Sequence, residues 1–96
     1  MAKGYWINFF RKVKDPAKVE AYRALAGPVM QASGGKFLVR GDPTKFYEAG
    51  LAGRVVVIEF ESVQKAIEVH DSPGYQAALK ALGDGAERDL RIVEGL

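Results

Sequence analysis

The chain has 96 residues, of which 48% are hydrophobic and 27% charged, and its net charge is +2 at pH 7. This composition excludes a disordered chain, and the length predicts one domain spanning residues 1–96. The basic residues are scattered among acidic ones, so no basic stripe indicates nucleic-acid binding, and the lack of cysteine excludes disulfides and thiolate metal sites.

The first third of the chain predicts a strand followed by a long helix. Residues 5–10 are aromatic or β-branched for the most part and favour an extended strand. Asp15 and Pro16 then have the side chains preferred at the N-cap and in the first turn of a helix. Apolar residues follow at helical spacing, as Val19, Tyr22, Leu25, Ala26, Val29 and Met30. Pro28 predicts a kink within this helix, and residues 33–35 end it.

The remaining two thirds predict three further strands and two short helices. Residues 36–40 form a short strand, and an irregular connection follows it over residues 44–53. Residues 54–60 are a nearly continuous apolar run, which is typical of a strand in the interior of a sheet. Ser62 can cap a helix that ends at Asp71-Ser72-Pro73, and a second short helix runs from residue 74 or 75 to 82. Apolar and charged side chains alternate over residues 88–94 and predict the last strand.

This order of elements, β-α-β-β-α-β, predicts an α+β fold of the ferredoxin-like kind, with helices on one face of a four-stranded antiparallel sheet. The other face also requires an apolar environment. Val55 and Val57 point away from Val56 and Ile58 because successive side chains alternate across a strand. We therefore expect a homodimer in which two sheets pack face to face and bury the surplus apolar surface.

Four segments of the chain together carry a family resemblance. They are Gly4-Tyr5-Trp6-Ile7, Asp15-Pro16 with Tyr22, residues 34–41, and Val57-Ile58-Glu59-Phe60 with residues 71–76. In this order they resemble the family called domain of unknown function 1330, within the dimeric α+β barrel superfamily. The resemblance implies a ferredoxin-like monomer that dimerises through its sheet, and it implies no established reaction. The chain departs from the family pattern at Asp42-Pro43 and at Phe9, which stands where a histidine or another polar residue is common.

Glu59 is the candidate catalytic residue. It is a carboxylate at the end of an apolar strand, where a charge is rarely buried without a partner. Burial would favour its protonated form and make it a candidate proton donor or acceptor. The alternative is a structural ion pair with Arg40 or Arg91, which would keep the carboxylate charged.

Four other residues are candidates for ligand binding. Arg40, at the end of the second strand, could present its guanidinium to a carboxylate. The rings of Trp6 and Phe9 could line a pocket, and the hydroxyl of Tyr75 could reach a ligand. For Arg40 the alternative is an ion pair with Glu59 or a solvated strand end, and for the aromatic residues it is packing in the core or at an interface. His70 is the sole histidine, so we predict no metal site and no cofactor.

Three hypotheses about function follow. The first is a homodimer that binds a small molecule in a cleft beside the sheet. The second is a cofactor-free enzyme of the monooxygenase, isomerase or decarboxylase type acting on a small aromatic or keto acid, with Glu59 as base and Arg40 as anion anchor. The third is a non-catalytic structural or regulatory interaction module. No segment has the roughly 18 apolar residues of a membrane-spanning helix, and none resembles a secretion signal, so we expect a cytoplasmic protein.

Overall fold

The computed structural model describes residues 2–96, which form a four-stranded antiparallel sheet and three helices. The elements in chain order are β1 (Gly4–Val13), α1 (Pro16–Ala32), β2 (Lys36–Gly41), β3 (Val55–Phe60), α2 (Val63–Asp71), α3 (Pro73–Leu82) and β4 (Ala86–Glu94). The sheet order is β2-β3-β1-β4, and each pair of neighbours is antiparallel. The predicted α+β ferredoxin-like arrangement is confirmed, with β3 in the interior of the sheet as expected. None of the three helices in residues 2–96 is both long and apolar enough to cross a membrane.

Helix α1 begins where its sequence predicts. The Asp15 side chain caps it by accepting a hydrogen bond of 3.0 Å from the backbone N–H of Ala17. The helix continues through Pro28 as one element, and its buried face consists of Tyr22, Ala26 and Met30. Leu25 was expected to widen this face, but it is 45% exposed because it lies on the outer side of the helix. That prediction is wrong.

Helices α2 and α3 meet at Ser72, which caps both. Its hydroxyl donates a hydrogen bond of 2.7 Å to the carbonyl oxygen of Val69 in α2 and accepts one of 3.4 Å from the backbone N–H of Tyr75 in α3. Pro73 occupies the first turn of α3, where the missing N–H costs nothing. The predicted break between two short helices is therefore confirmed.

The two faces of the sheet differ in burial along β1. Trp6, Asn8 and Phe10 point toward the helices and are buried. The side chains that alternate with them point to the other face, together with their cross-strand neighbours in β3, β4 and β2. We call this second surface the open face; it consists of Tyr5, Ile7, Phe9, Lys36, Val39, Val55, Val57, Glu59, Asp89, Arg91 and Val93.

The outer ends of β1 and β4 extend beyond the predicted strands. The sequence predicted β1 to end at Phe10 and β4 to begin at Arg88, whereas β1 continues to Val13 and β4 begins at Ala86. The two ends pair with each other after a bulge between Phe10 and Lys12. Backbone pairing therefore extends both strands, although their side chains at these ends are mostly polar.

Candidate functional site

A cavity of about 290 Å³ lies between α1 and the helix-facing side of β1, β2 and β3. We call it the cleft. Its floor consists of buried residues from the sheet and from the inner face of α1, namely Trp6, Asn8, Ile58, Tyr22, Ala26 and Met30. Its rim carries the charged side chains Glu20, Arg23, Arg40 and Arg54. The cleft is thus largely apolar at its base and charged at its mouth.

The rim has an excess of positive charge. It contains three arginines and a single carboxylate, and Glu20 lies 3.4 Å from Arg23. Within residues 2–96, neither Arg40 nor Arg54 has a carboxylate at ion-pair distance. Partial burial lowers the pKa of Arg54, and repulsion from Arg23 and Arg40 lowers it further against the weaker attraction of Asp42 and Glu20. The mouth of the cleft therefore favours an anion.

Asn8 is the unusual residue of the floor. It is 3% exposed and is the buried polar side chain in a core that is otherwise apolar or aromatic. Its Oδ1 atom is inaccessible to solvent and has no hydrogen-bond partner in the part of the chain that the structure describes. Because buried polar atoms are almost always hydrogen-bonded, an orphan acceptor beside a cavity requires an explanation.

A hydrogen-bonded cluster lies beside the floor, between α1, α3 and β4. The hydroxyls of Tyr22 and Tyr75 are 2.8 Å apart, and Arg88 donates to both of them, through Nη1 to Tyr22 at 3.0 Å and through Nη2 to Tyr75 at 3.3 Å. The Arg88 guanidinium also lies over the Tyr22 ring, 4.7 Å from its centre. Burial, followed by the influence of Tyr22, raises the pKa of the Tyr75 hydroxyl, which therefore keeps its proton.

The predicted site residues lie in three places. Trp6 is in the floor of the cleft and Arg40 is on its rim. Tyr75 is fully buried behind Tyr22, where its hydroxyl contacts Tyr22 and Arg88. Phe9 and Glu59 lie on the open face. The structure thus brings Trp6 and Arg40 together and separates both from Glu59.

Glu59 and Arg40 lie on opposite faces of the sheet because β2 contains a bulge between Phe37 and Val39. Strict alternation from Lys36, which pairs with Glu59, would turn Arg40 toward the open face; the extra residue turns it toward the helices, opposite Val56. Glu59 instead accepts a hydrogen bond of 2.9 Å from the Tyr5 hydroxyl.

Neither of the ion pairs considered for Glu59 is present in residues 2–96. Arg40 faces the cleft, and Arg91 binds Asp89 through two hydrogen bonds of 3.0 and 2.9 Å. The catalytic role of Glu59 stays a prediction, and in one chain this carboxylate does not line the cleft.

Sequence reasoning missed four residues of the site: Asn8, Tyr22 as a hydrogen-bonding group, Arg54 and Arg88. A signal existed for Asn8, since it is the polar member of the alternating series Trp6, Asn8 and Phe10. For Arg88 no signal existed, because its partners Tyr22 and Tyr75 are 66 and 13 residues away in the chain. Within residues 2–96 no group of three or more His, Asp and Glu side chains could hold a metal ion.

The sequence profile of a family described as domain of unknown function (DUF1330) matches residues 3–96. No curated protein is similar to this chain at a significant level. Solved structures with the same fold include a protein of unknown function from Rhodopseudomonas palustris, which is 21% identical with a TM-score of 0.75 over 99% of this chain and 83% of that one.

Two further solved structures are similar over 97% of this chain, each with a TM-score of 0.65. One is a dimeric ferredoxin-like protein of unknown function from Thermobifida fusca, 20% identical over 91% of its own length. The other is SnoaB, a cofactor-independent oxygenase from Streptomyces nogalater, 16% identical over 92% of its length. At these identities the similarities establish the fold.

Proposed function

We propose that this chain, which belongs to the family described as domain of unknown function (DUF1330), binds a small organic anion with an apolar body in the cleft between α1 and the sheet. The observation that carries the proposal is the positive charge of the rim, which contains three arginines, Arg23, Arg40 and Arg54, and one carboxylate, that of Glu20. Arginine presents a planar set of donors that matches a carboxylate in two parallel hydrogen bonds. A carboxylate is therefore the group that this rim would hold best.

The floor of the cleft supports an apolar or aromatic body for the same ligand. Trp6, Met30 and Ile58 present apolar surface to the cavity, and Phe37 lies at its side under the Arg40 guanidinium, whose centre is 5.1 Å from the ring. Ligand sites of this kind combine apolar walls with a few placed polar groups, and they usually enclose about 300 Å³ or more. A cavity of about 290 Å³ suits a ligand of one ring or a short chain.

We also propose that the protein is a homodimer that packs through the open face. Of this surface, Phe9, Val39 and Val93 are each between 39% and 48% exposed in one chain. Ile7 and Val57 lie between Phe9 and Val39, so apolar side chains of β1, β3 and β2 adjoin one another on this face. On β4 the partners of Ile7 and Phe9 are Arg91 and Asp89. Such an apolar surface is unusual on a monomer, and packing of a second sheet would cover it.

Calorimetric titration with phenylacetate and its uncharged analogue phenylacetamide tests the anion site. The acid should bind at least about tenfold more tightly than the amide, since a charge-assisted hydrogen bond contributes about 1.5–3 kcal/mol. Arg40→Gln should weaken phenylacetate binding by about tenfold and leave the weak binding of the amide unchanged. Added salt should weaken binding of the acid alone.

Lys80→Gln is the matched control, because it removes the same charge from an exposed position on α3 that does not line the cleft. Its affinity for phenylacetate should equal that of the unchanged protein. Equal affinities for the acid and the amide, or equal losses in Arg40→Gln and Lys80→Gln, would reject a specific anion site on the rim.

A further inference from the structure

The Tyr22–Tyr75–Arg88 cluster contains one more hydroxyl proton than it has acceptors for within the cluster. Two hydroxyl protons are present, and one of them lies between the two tyrosine oxygens, which are 2.8 Å apart. The remaining lone pairs face Arg88, which donates to both oxygens and accepts from neither. The second hydroxyl proton therefore has no acceptor within the cluster.

Burial decides which tyrosine carries this spare donor. Tyr75 is 0% exposed and does not line the cleft, so an O–H group without an acceptor there would be buried and unsatisfied. Tyr22 is 7% exposed and does line the cleft. The less costly arrangement has Tyr75 donating to Tyr22 and Tyr22 donating into the cleft. The raised pKa of Tyr75, caused mainly by burial, agrees with its role as a permanent donor.

Asn8 supplies the complementary group in the same cavity. Its Oδ1 is an acceptor without a donor, whereas Tyr22 has a donor without an acceptor, and both side chains line the cleft. Oδ1 is inaccessible to solvent in this orientation, and a rotation of the Asn8 amide that turns the oxygen toward the cavity puts the NH2 group in its place, since the two amide positions are nearly equal in shape. A hydroxyl group is the simplest ligand group that satisfies both, because it accepts from Tyr22 and donates to Asn8.

We propose that the ligand of the cleft is a hydroxylated aromatic acid, whose hydroxyl group is bound by Tyr22 and Asn8 while the rim arginines hold its carboxylate. This inference rests on the proposed function and adds the chemical class of the ligand. Tyr75 and Arg88 are positioning residues: their hydrogen bonds to the Tyr22 oxygen direct its O–H toward the cavity.

Two pairs of probes test the inference by calorimetric titration: 4-hydroxyphenylacetate against phenylacetate, and 4-hydroxybenzoate against benzoate. The pairs place the hydroxyl at two different distances from the carboxylate. In the unchanged protein, the hydroxylated member of at least one pair should bind about tenfold or more tightly than its partner, because a site built for a hydroxyl rejects the analogue without it. Tyr22→Phe and Asn8→Leu should each reduce this ratio to about two or less.

Tyr47→Phe is the matched control, since it makes the same chemical change at an exposed tyrosine that does not line the cleft. It leaves the Tyr22 donor in place, so the preference for the hydroxyl should remain. A crystal structure with the preferred acid should place its hydroxyl oxygen within about 3.2 Å of Tyr22 Oη and of the Asn8 amide.

The outcomes separate this inference from the proposed function. Equal binding of both members of each pair would overturn the hydroxyl site and leave the anion site standing. Binding of none of the four acids at millimolar concentration would overturn both. A preference that survives Tyr22→Phe or Asn8→Leu, or a water molecule in place of the ligand hydroxyl between these two side chains, would also overturn the assignment.

Discussion

Asn8 occupies a helix-facing position of β1 between Trp6 and Phe10, where an apolar side chain would pack without leaving a polar atom alone. Its orphan Oδ1 costs about 1–3 kcal/mol in the free protein, which is the usual penalty for a buried polar atom without a partner. The alternation of β1 places Asn8 on the same side as Trp6 and Phe10 on sequence grounds alone. Its lack of a partner could not be predicted, because it depends on which side chains of α1 stand opposite.

Asn8→Leu is expected to stabilise the free protein, because it removes the orphan acceptor and places apolar volume against the cavity. A gain of about 1 kcal/mol would raise the melting temperature by about 4–8 °C for a chain of this size. Calorimetric melting without ligand measures the change. Gln31→Leu, at an exposed position near the end of α1, is the control and should change the melting temperature by much less. A lower melting temperature for Asn8→Leu would mean that Asn8 has a structural partner.

At the scale of elements, the junction of α2 and α3 determines where Tyr75 lies relative to Tyr22 of the cleft. Ser72 ends one helix and begins the next, and Tyr75 lies in the first turn of α3 as a result. The Tyr75 hydroxyl then reaches Tyr22 and Arg88. The segment Asp71-Ser72-Pro73 predicted the break, since capping and proline geometry depend on adjacent residues only. The partners of Tyr75 came from α1 and β4 and were not predictable from this segment.

Ser72→Ala should destabilise the protein by about 1–2 kcal/mol, because it removes a cap from each of two helices. Urea unfolding followed by circular dichroism measures the loss. Ser33→Ala is the matched control, since the Ser33 hydroxyl makes a single bond of 2.7 Å to the carbonyl oxygen of Val29 at the end of α1. The loss should be smaller in Ser33→Ala; an equal or larger loss there would show that Ser72 does not join the two helices as described.

At the scale of the whole molecule, the two faces of the sheet differ in what covers them. The helix-facing side contains the core and the cleft, whereas the open face presents Ile7, Phe9 and Val57 without a covering layer in one chain. Apolar residues on both sides of β1 and β3 predicted this situation from sequence. The sequence alone does not specify which side of β1 meets the helices, because Tyr5, Ile7 and Phe9 alternate with the aromatic Trp6 and Phe10. The structure assigns Trp6 and Phe10 to the core.

Phe9→Lys is expected to convert the proposed dimer to a monomer, because it replaces an exposed apolar side chain of the open face, beside Val55 and Ile7, with a charge. Sedimentation at micromolar concentration measures the mass. Leu25→Lys is the matched control: Leu25 is 45% exposed against 39% for Phe9, but it lies on the outer side of α1. The control should remain a dimer. A monomeric mass for the unchanged protein would reject the dimer, and a dimeric Phe9→Lys protein would reject the open face as its interface.

The sequence by itself determined the elements and their order, because caps, glycine and proline positions and hydrophobic periodicity act over a few neighbouring residues. The tertiary structure decided how those elements present their side chains. The bulge in β2 turns Arg40 toward the cleft and away from Glu59. Packing of α1 against α3 brings Tyr22 to Tyr75, and Arg88 of β4 donates hydrogen bonds to both. Strand register and helix packing arise from contacts between distant parts of the chain, so no local pattern specifies them.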